Sequence, residues 1–394
     1  MTVAIPPAAV LRQALRASLA LVLVAMLSGL VSGPAVHAQA ETAESLTAAC
    51  DDDRDADACM AMAIKSYEGR EVALDHALSR RFSAKACAEG AMMGCNLLGA
   101  LLQDGAGGPQ DLAGAARNFR YACEGGYDGA CFNLGQLLYN NYSGDPADLV
   151  EARAAYAKAC EAGMVDSCNN RAVMLKYGEG GDADLPAARA LFVQSCEAGS
   201  VNACASAGYM LMVGEGGPAD TARAAEWLRS SCESGSAFGC DNYGMVLLNG
   251  LAGDRDLQGA AALFTRACDA GEGNACLNLG GMLYNGVVAE RDLPAARSRF
   301  STGCRLGSND ACGFLAQMAF DGEGGEQDRP LARQMYASLC ETGGVADACL
   351  LLAVIAENGA GGPRDLDAAY RALGRGCELG NRNSCLLLEQ RARE

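Results

Sequence analysis

The chain is poor in the residues that catalysis uses most often. Its 394 residues include two histidines, four lysines and one tryptophan. A serine acylase of the S-x-x-K type needs its nucleophile one helical turn before a lysine. The residues three before Lys65, Lys85, Lys158 and Lys176 are Met62, Phe82, Ala155 and Val173, so that motif is absent. A zinc hydrolase needs a histidine cluster, and beyond residue 40 only His76 remains. That histidine reads as a surface or packing residue. The chain also lacks a G-x-S-x-G elbow, a Walker A loop and an H-E-x-x-H pair. Loops such as DGEGGEQD, Asp321 to Asp328, fail the spacing of an EF-hand. No catalytic residue, metal or cofactor is expected.

Positive charge and long apolar runs are scarce as well. The formal net charge is −17; residues 1–40 hold two arginines and no acid, so their removal leaves −19. Such a surface repels polyanions and disfavours nucleic-acid binding. The first 40 residues carry Arg12 and Arg16, then the apolar run Ala17 to Val31, then small-residue exits at Ala38 or Ala40. This order reads as a cleaved secretory signal over residues 1–40, with an uncleaved anchor or a mitochondrial presequence as alternatives. No later stretch is apolar for long enough to cross a membrane, so no stable membrane insertion is expected after cleavage. Export, to a bacterial periplasm or beyond, would place the cysteines where disulfides persist.

Against these absences stand 20 cysteines and 49 glycines. The cysteines fall into ten pairs: Cys50 with Cys59, Cys87 with Cys95, Cys123 with Cys131, Cys160 with Cys168, Cys196 with Cys204, Cys232 with Cys240, Cys268 with Cys276, Cys304 with Cys312, Cys340 with Cys349 and Cys377 with Cys385. The first member of each pair recurs every 36 or 37 residues. Twelve residues before it stands an aspartate: Asp75, Asp111, Asp148, Asp184, Asp220, Asp256, Asp292, Asp328 or Asp365. Three residues after it stands a glycine, from Gly90 to Gly380, except in the first pair, CDDDRDADAC. A fixed period of this length marks a repeat array.

Each mark has a physical reading. The aspartates follow glycine-rich loops and precede runs such as DLPAARALFVQSC, Asp184 to Cys196, so they are expected to be helix N-caps. Leu185, Ala188, Phe192 and Cys196 recur at helical spacing and give that helix one buried face. The glycine past the cysteine suits a left-handed residue that ends the helix. A second helix is expected from around the second cysteine, as in ACFNLGQLLY, Ala130 to Tyr139. Four residues after that cysteine stands Gly or Ala (Gly99, Gly135, Ala172, Gly208, Gly244, Gly280, Ala316, Ala353), which would let neighbouring helices cross closely. Trp227 is expected in the core. The expected fold is all-α: one α/α solenoid over residues 41–394, with about nine repeats of antiparallel helix pairs.

The cysteine pairs are expected to be disulfides. On one continuous helix, residues eight apart would lie ~12 Å apart, whereas a disulfide needs Cα atoms within roughly 7 Å. The glycine supplies the intervening turn, and the bond staples one helix end to the next helix start. In the chain-entropy model a loop of about nine residues gains roughly 2.6 kcal/mol. Zinc would favour closer cysteine spacing and redox catalysis a C-x-x-C motif.

The 36-residue unit, with its ACFNLGQLLY and DLPAARALFVQSC segments, resembles the Sel1-like repeat. The paired cysteines are similar to those of its secreted, cysteine-rich subfamily first named from Helicobacter. The resemblance covers about residues 45–390. It implies a right-handed, TPR-like superhelix that serves as an adaptor for other proteins. The subfamily also carries a β-lactamase or penicillin-binding label, which no motif here supports.

One feature suggests a binding surface. Two residues after the second cysteine stand Asn133, Asn170, Ser206, Asn242 and Asn278, one per consecutive unit. An asparagine offers one acceptor and two donors, enough to pair with an extended peptide backbone. The other reading is that these side chains tie neighbouring repeats together. Tyr139, Tyr177, Tyr209 and Tyr284 near the ends of the same helices read mostly as packing. The expected function is an exported scaffold that binds a protein or peptide through its concave face. The alternatives are binding or hydrolysis of β-lactams or peptidoglycan fragments, and an assembly factor of the mitochondrial intermembrane space.

Overall fold

A computed structural model describes residues 42–141 and 143–391; the expected signal over 1–40 lies outside the described residues. Among them are twenty α-helices and no strand, from Ala43–Asp52 to Arg382–Arg391. Ten disulfides join these helices two by two. Throughout, the two members of a pair are called the first and the second helix of a unit.

The unit that begins at Asp184 shows why the chain folds this way. The Asp184 carboxylate accepts the Ala187 amide at 2.9 Å and starts the helix Leu185–Glu197, with Pro186 in the first turn. Ala188 and Phe192 are buried on its inner face. Gly199, at φ +94°, then reverses the chain, and Ser200 caps the helix Val201–Val213. Gly214, at φ +75°, ends that helix. The Asp220 amide bonds back to the Leu211 carbonyl at 2.9 Å, which closes the loop and starts the next unit.

Eight of the nine marked aspartates cap their helices through the side chain: Asp75, Asp111, Asp184, Asp220, Asp256, Asp292, Asp328 and Asp365. Asp148 does not. The helix Pro146–Glu161 starts three residues earlier, with Asp145 as its cap. Pro146 explains the difference, since its fixed φ favours the first helical position. Asp148 sits in the first turn and accepts the Ser143 hydroxyl at 2.7 Å.

Every disulfide closes between the two cysteines of one unit. In the first half of the chain Cys50 is bonded to Cys59, Cys87 to Cys95, Cys123 to Cys131, Cys160 to Cys168 and Cys196 to Cys204. In the second half Cys232 is bonded to Cys240, Cys268 to Cys276, Cys304 to Cys312, Cys340 to Cys349 and Cys377 to Cys385. The paired Cα atoms lie 4.4–4.7 Å apart throughout, well inside the reach of the bond. Two turns depart from the glycine pattern. Between Cys50 and Cys59 there is no glycine, and Arg54 takes the left-handed conformation instead, at φ +56°. Between Cys340 and Cys349 the left-handed residue is Gly344 rather than Gly343, one position later in a turn that is one residue longer.

Units stack by placing a small residue of one second helix against a large residue of the next first helix. A Cβ on Gly99 would lie 2.6 Å from the Phe119 ring, one on Gly244 2.7 Å from Phe264, and one on Gly280 2.7 Å from Phe300. Gly135 faces Tyr156 and Gly208 faces Leu228 in the same way. Each of these large side chains is buried, worth about 1.5–3 kcal/mol. Leu228, not Trp227, holds the core position of its helix. Trp227 is half-buried, with the Arg223 guanidinium 4.1 Å above its ring.

A second periodic contact had no counterpart in the sequence reading. Five residues after the aspartate phase stand Arg80, Arg153, Arg189, Arg297 and Arg333. Each donates to a carbonyl of the loop that closes its own unit: Pro109 at 3.1 Å, Asp182 at 3.1 Å, Glu215 at 3.5 Å, Glu326 at 3.0 Å and Pro363 at 2.9 Å. The guanidinium braces a loop rich in glycine, whose backbone entropy would otherwise favour disorder.

Candidate functional site

The second helices present one side chain per unit at the position two residues after their cysteine. Asn133 donates to Asn96 of the preceding unit at 2.8 Å, and Asn278 donates to Asp241 at the same distance. Asn242 is buried and donates to the Phe238 carbonyl within its own helix at 2.8 Å. Asn170 is half-buried and accepts from the Asn169 side-chain amide at 3.5 Å; Ser206 is half-buried. The row is therefore partly knitted into the stack. Asn133 and Asn278 each use one amide proton on a neighbour and keep a second donor and the oxygen.

The same phase continues beyond the polar residues. Phe314 and Leu351 occupy it in the next two units and are 52% and 40% exposed. Phe314 stacks on Phe300, with ring centroids 5.1 Å apart. Val354, one helical turn past Leu351, is also exposed. The sequence reading ended at Asn278 because it followed polar side chains, the four asparagines and Ser206. Carrying the phase forward by 36 and then by 37 residues reaches both apolar positions.

Asp241 was also missed. It is 6% exposed, and burial pushes its carboxyl up to about 7, against the bond from Asn278 and with the nearby Glu272 adding to the rise. Glu272 caps the helix Gly273–Asn285 and is itself raised, mainly by burial. The two acids share one seam between units.

The tyrosines near the helix ends mostly join units. Tyr284 donates to Glu323 at 2.8 Å, and Lys176 pairs with Glu215 at 2.9 Å while lying over the Tyr209 ring. Tyr139 is pushed up to about 12 by burial and by its partner Glu179. Those glutamates follow the first glycine of the closing loops, so each loop accepts from the unit before it. Tyr177 is 52% exposed, with Lys176 over its ring. His76 lies against Tyr67, ring centroids 5.4 Å apart.

Among the described residues there is no group of three or more His, Cys, Asp or Glu that could hold a metal, and no free cysteine. No helix of the described residues is long and apolar enough to cross a membrane.

Comparison with known proteins adds the lineage of the unit. The model of the Sel1 repeat matches residues 93–127, 129–164, 165–200, 201–236, 237–272, 273–307, 309–343 and 346–381. Among solved structures, a Sel1 repeat protein from Oxalobacter formigenes is 20% identical at a TM-score of 0.59, covering 93% of this chain and 99% of that one. A protective antigen of uropathogenic Escherichia coli with an SLR fold is also 20% identical, at a TM-score of 0.58 over 88% and 86% of the two chains. At these identities the likeness shows the fold. Helicobacter pylori cysteine rich protein B is 26% identical at a TM-score of 0.28, over 34% of this chain and 96% of its own. No curated protein matches the chain in sequence.

Proposed function

We propose a function from one premise: the chain belongs to the Sel1 repeat family, whose scaffolds typically mediate protein–protein interaction. It is an exported, disulfide-stapled scaffold that binds a protein or an extended peptide along its second helices. The observation that carries this reading is the single row running from Asn133 through Asn278 to Phe314 and Leu351. Its polar part can pair with a peptide backbone, and its apolar part offers exposed anchors of the kind that dominate binding energy. Second helices of neighbouring units bond directly, through Asn133–Asn96 and Asn278–Asp241, as expected of the inner layer of a curved stack. That layer is the proposed concave face. A rigid stack loses little entropy on binding. Ten disulfides without a free cysteine among the described residues support an oxidising compartment.

The test is affinity capture from an extracytoplasmic extract by the oxidised protein, beside a Phe314→Asp/Leu351→Asp variant and an Asn170→Ala/Ser206→Ala variant. These residues are at least partly exposed, so the fold is retained, which circular dichroism checks. A partner held by the parent and lost by the variants supports the reading. Equal capture by all three removes this row from the function.

A further inference from the structure

The arginine brace is missing from four of the nine units that begin at a marked aspartate, where Ala116, Ala225, Ala261 and Tyr370 stand in its place, and beside Ala225 lies a cavity. Where five units have Arg80, Arg153, Arg189, Arg297 or Arg333, the unit that begins at Asp220 has Ala225. Between Ala225, the second-helix residues Tyr243 and Leu247, and the loop residues 252–254 lies an opening of about 310 Å³. The unit that begins at Asp256 also lacks the arginine, at Ala261, yet its loop is otherwise secured. There Gln258 donates to the Val288 carbonyl at 3.2 Å, and Val287 and Val288 pack on the adjoining core.

The loop changes in the same unit as the arginine. One unit earlier, Gly216 sits at φ +72°, where a Cβ would lie 2.3 Å from the Leu185 carbonyl oxygen. Ala252 stands at the equivalent position and does not take a left-handed conformation. Its methyl group cannot make that approach, so the loop stands away from the helix and the space stays open.

The register of the other units identifies what fits. Arg189 and Arg297 reach carbonyls 26 residues on, and Arg80, Arg153 and Arg297 reach carbonyls 29 residues on. Counted from Ala225, these acceptors are the carbonyls of Leu251 and Asp254, to which no side chain donates among the described residues. Glu226 and Asp254 place two carboxylates on the lining; Arg229 also lines it, and the balance remains negative. Carbonyl acceptors beside carboxylates suit the forked donors of a guanidinium, while the alanine and leucine side chains suit its aliphatic stem.

We propose that this cavity receives an arginine side chain of the partner: the unit that begins at Asp220 leaves the brace position open and the bound protein or peptide fills it. This rests on the scaffold reading above and names the chemistry of one contact.

Binding of acetyl-arginine-amide to the oxidised protein, followed by NMR or calorimetry, tests it without requiring the partner. The expected result is one site, with binding at least about tenfold tighter than for acetyl-norleucine-amide, since hydrogen bonds to a charged group add that much. Ala225→Arg should abolish the site by filling it and should raise the melting temperature. Equal binding of the two amides, or arginine binding unaffected by Ala225→Arg in a folded variant, overturns the proposal. Either result leaves partner capture, and so the scaffold reading, untouched.

Discussion

Asn278 donates its side-chain amide to a carboxylate oxygen of Asp241, 2.8 Å away in the preceding repeat. Asn133 and Asn96 make the same bond at the same phase and distance four repeats earlier. The two seams differ in one group: Asp241 can ionise and Asn96 cannot. Burial makes that difference energetic, because a carboxylate there loses water that one hydrogen bond does not replace.

The Asp241 seam should make stability depend on pH. Its folded-state value of about 7 lies above the ordinary 3.8. Between those pH values the folded chain keeps a proton that the unfolded chain releases, so this site's contribution to stability falls as pH rises from about 4 to about 7. Asp241→Asn copies the Asn96–Asn133 pair and removes the dependence. Denaturation at pH 5 and pH 8 should show the variant gaining at pH 8, by at most roughly 4 kcal/mol. Parallel pH profiles for parent and variant would refute this; Glu272 leaves a smaller slope in both.

Two adjacent glycines should respond oppositely to alanine. A Cβ on Gly280 would press the buried Phe300 ring at 2.7 Å, while one on Gly281 meets nothing within 4 Å. Alanine is favoured over glycine inside a helix by about 1 kcal/mol. At Gly280, overpacking costs about 1–3 kcal/mol and outweighs that gain. Thermal melts should therefore show Gly280→Ala lower and Gly281→Ala higher than the parent. The same sign for both would mean that the close contact carries no energy.

The capping residue of the helix Pro146–Glu161 is open to a direct comparison. Asp145→Ala removes the side chain that accepts the Ala147 amide and should cost about 1 kcal/mol. Asp148→Ala removes only exposed bonds from Ser143 and should cost less. Urea titration of both decides it, and a larger loss for Asp148→Ala would restore Asp148 as the cap.

Removing one disulfide should weaken the stack without dissolving it. For Cys232→Ala with Cys240→Ala, the loop-closure estimate is a loss of roughly 2.6 kcal/mol. Because each unit contacts mainly its neighbours, the loss should appear as early opening around residues 221–249 in hydrogen exchange. Uniform loss of protection along the chain would show that the units do not open separately.

Local devices were legible from the chain alone. Asp184 and the turn at Gly199 act within a few residues of themselves, so their types and spacing announce the helix start and the reversal. Pairs such as Cys160 with Cys168 were legible for the same reason, because eight residues and one turn leave little else for them to do. Even here Pro146 moved a helix start by three residues, since proline at the first helical position outweighs an aspartate further on.

Contacts made across the stack were not legible. Gly99 reads as a place for close approach, but that its partner is Phe119 depends on how two units pack. The braces from Arg80 to Arg333, the Asn133–Asn96 and Asn278–Asp241 bonds and the opening beside Ala225 belong to the same class. The repeat by itself determined the helix pairs, their staples and the all-α architecture, because those follow from short-range capping and chain reversal. Only the tertiary structure decided which asparagines are partly engaged, which acid is buried and where a brace is missing, because burial and partner choice arise when units come together.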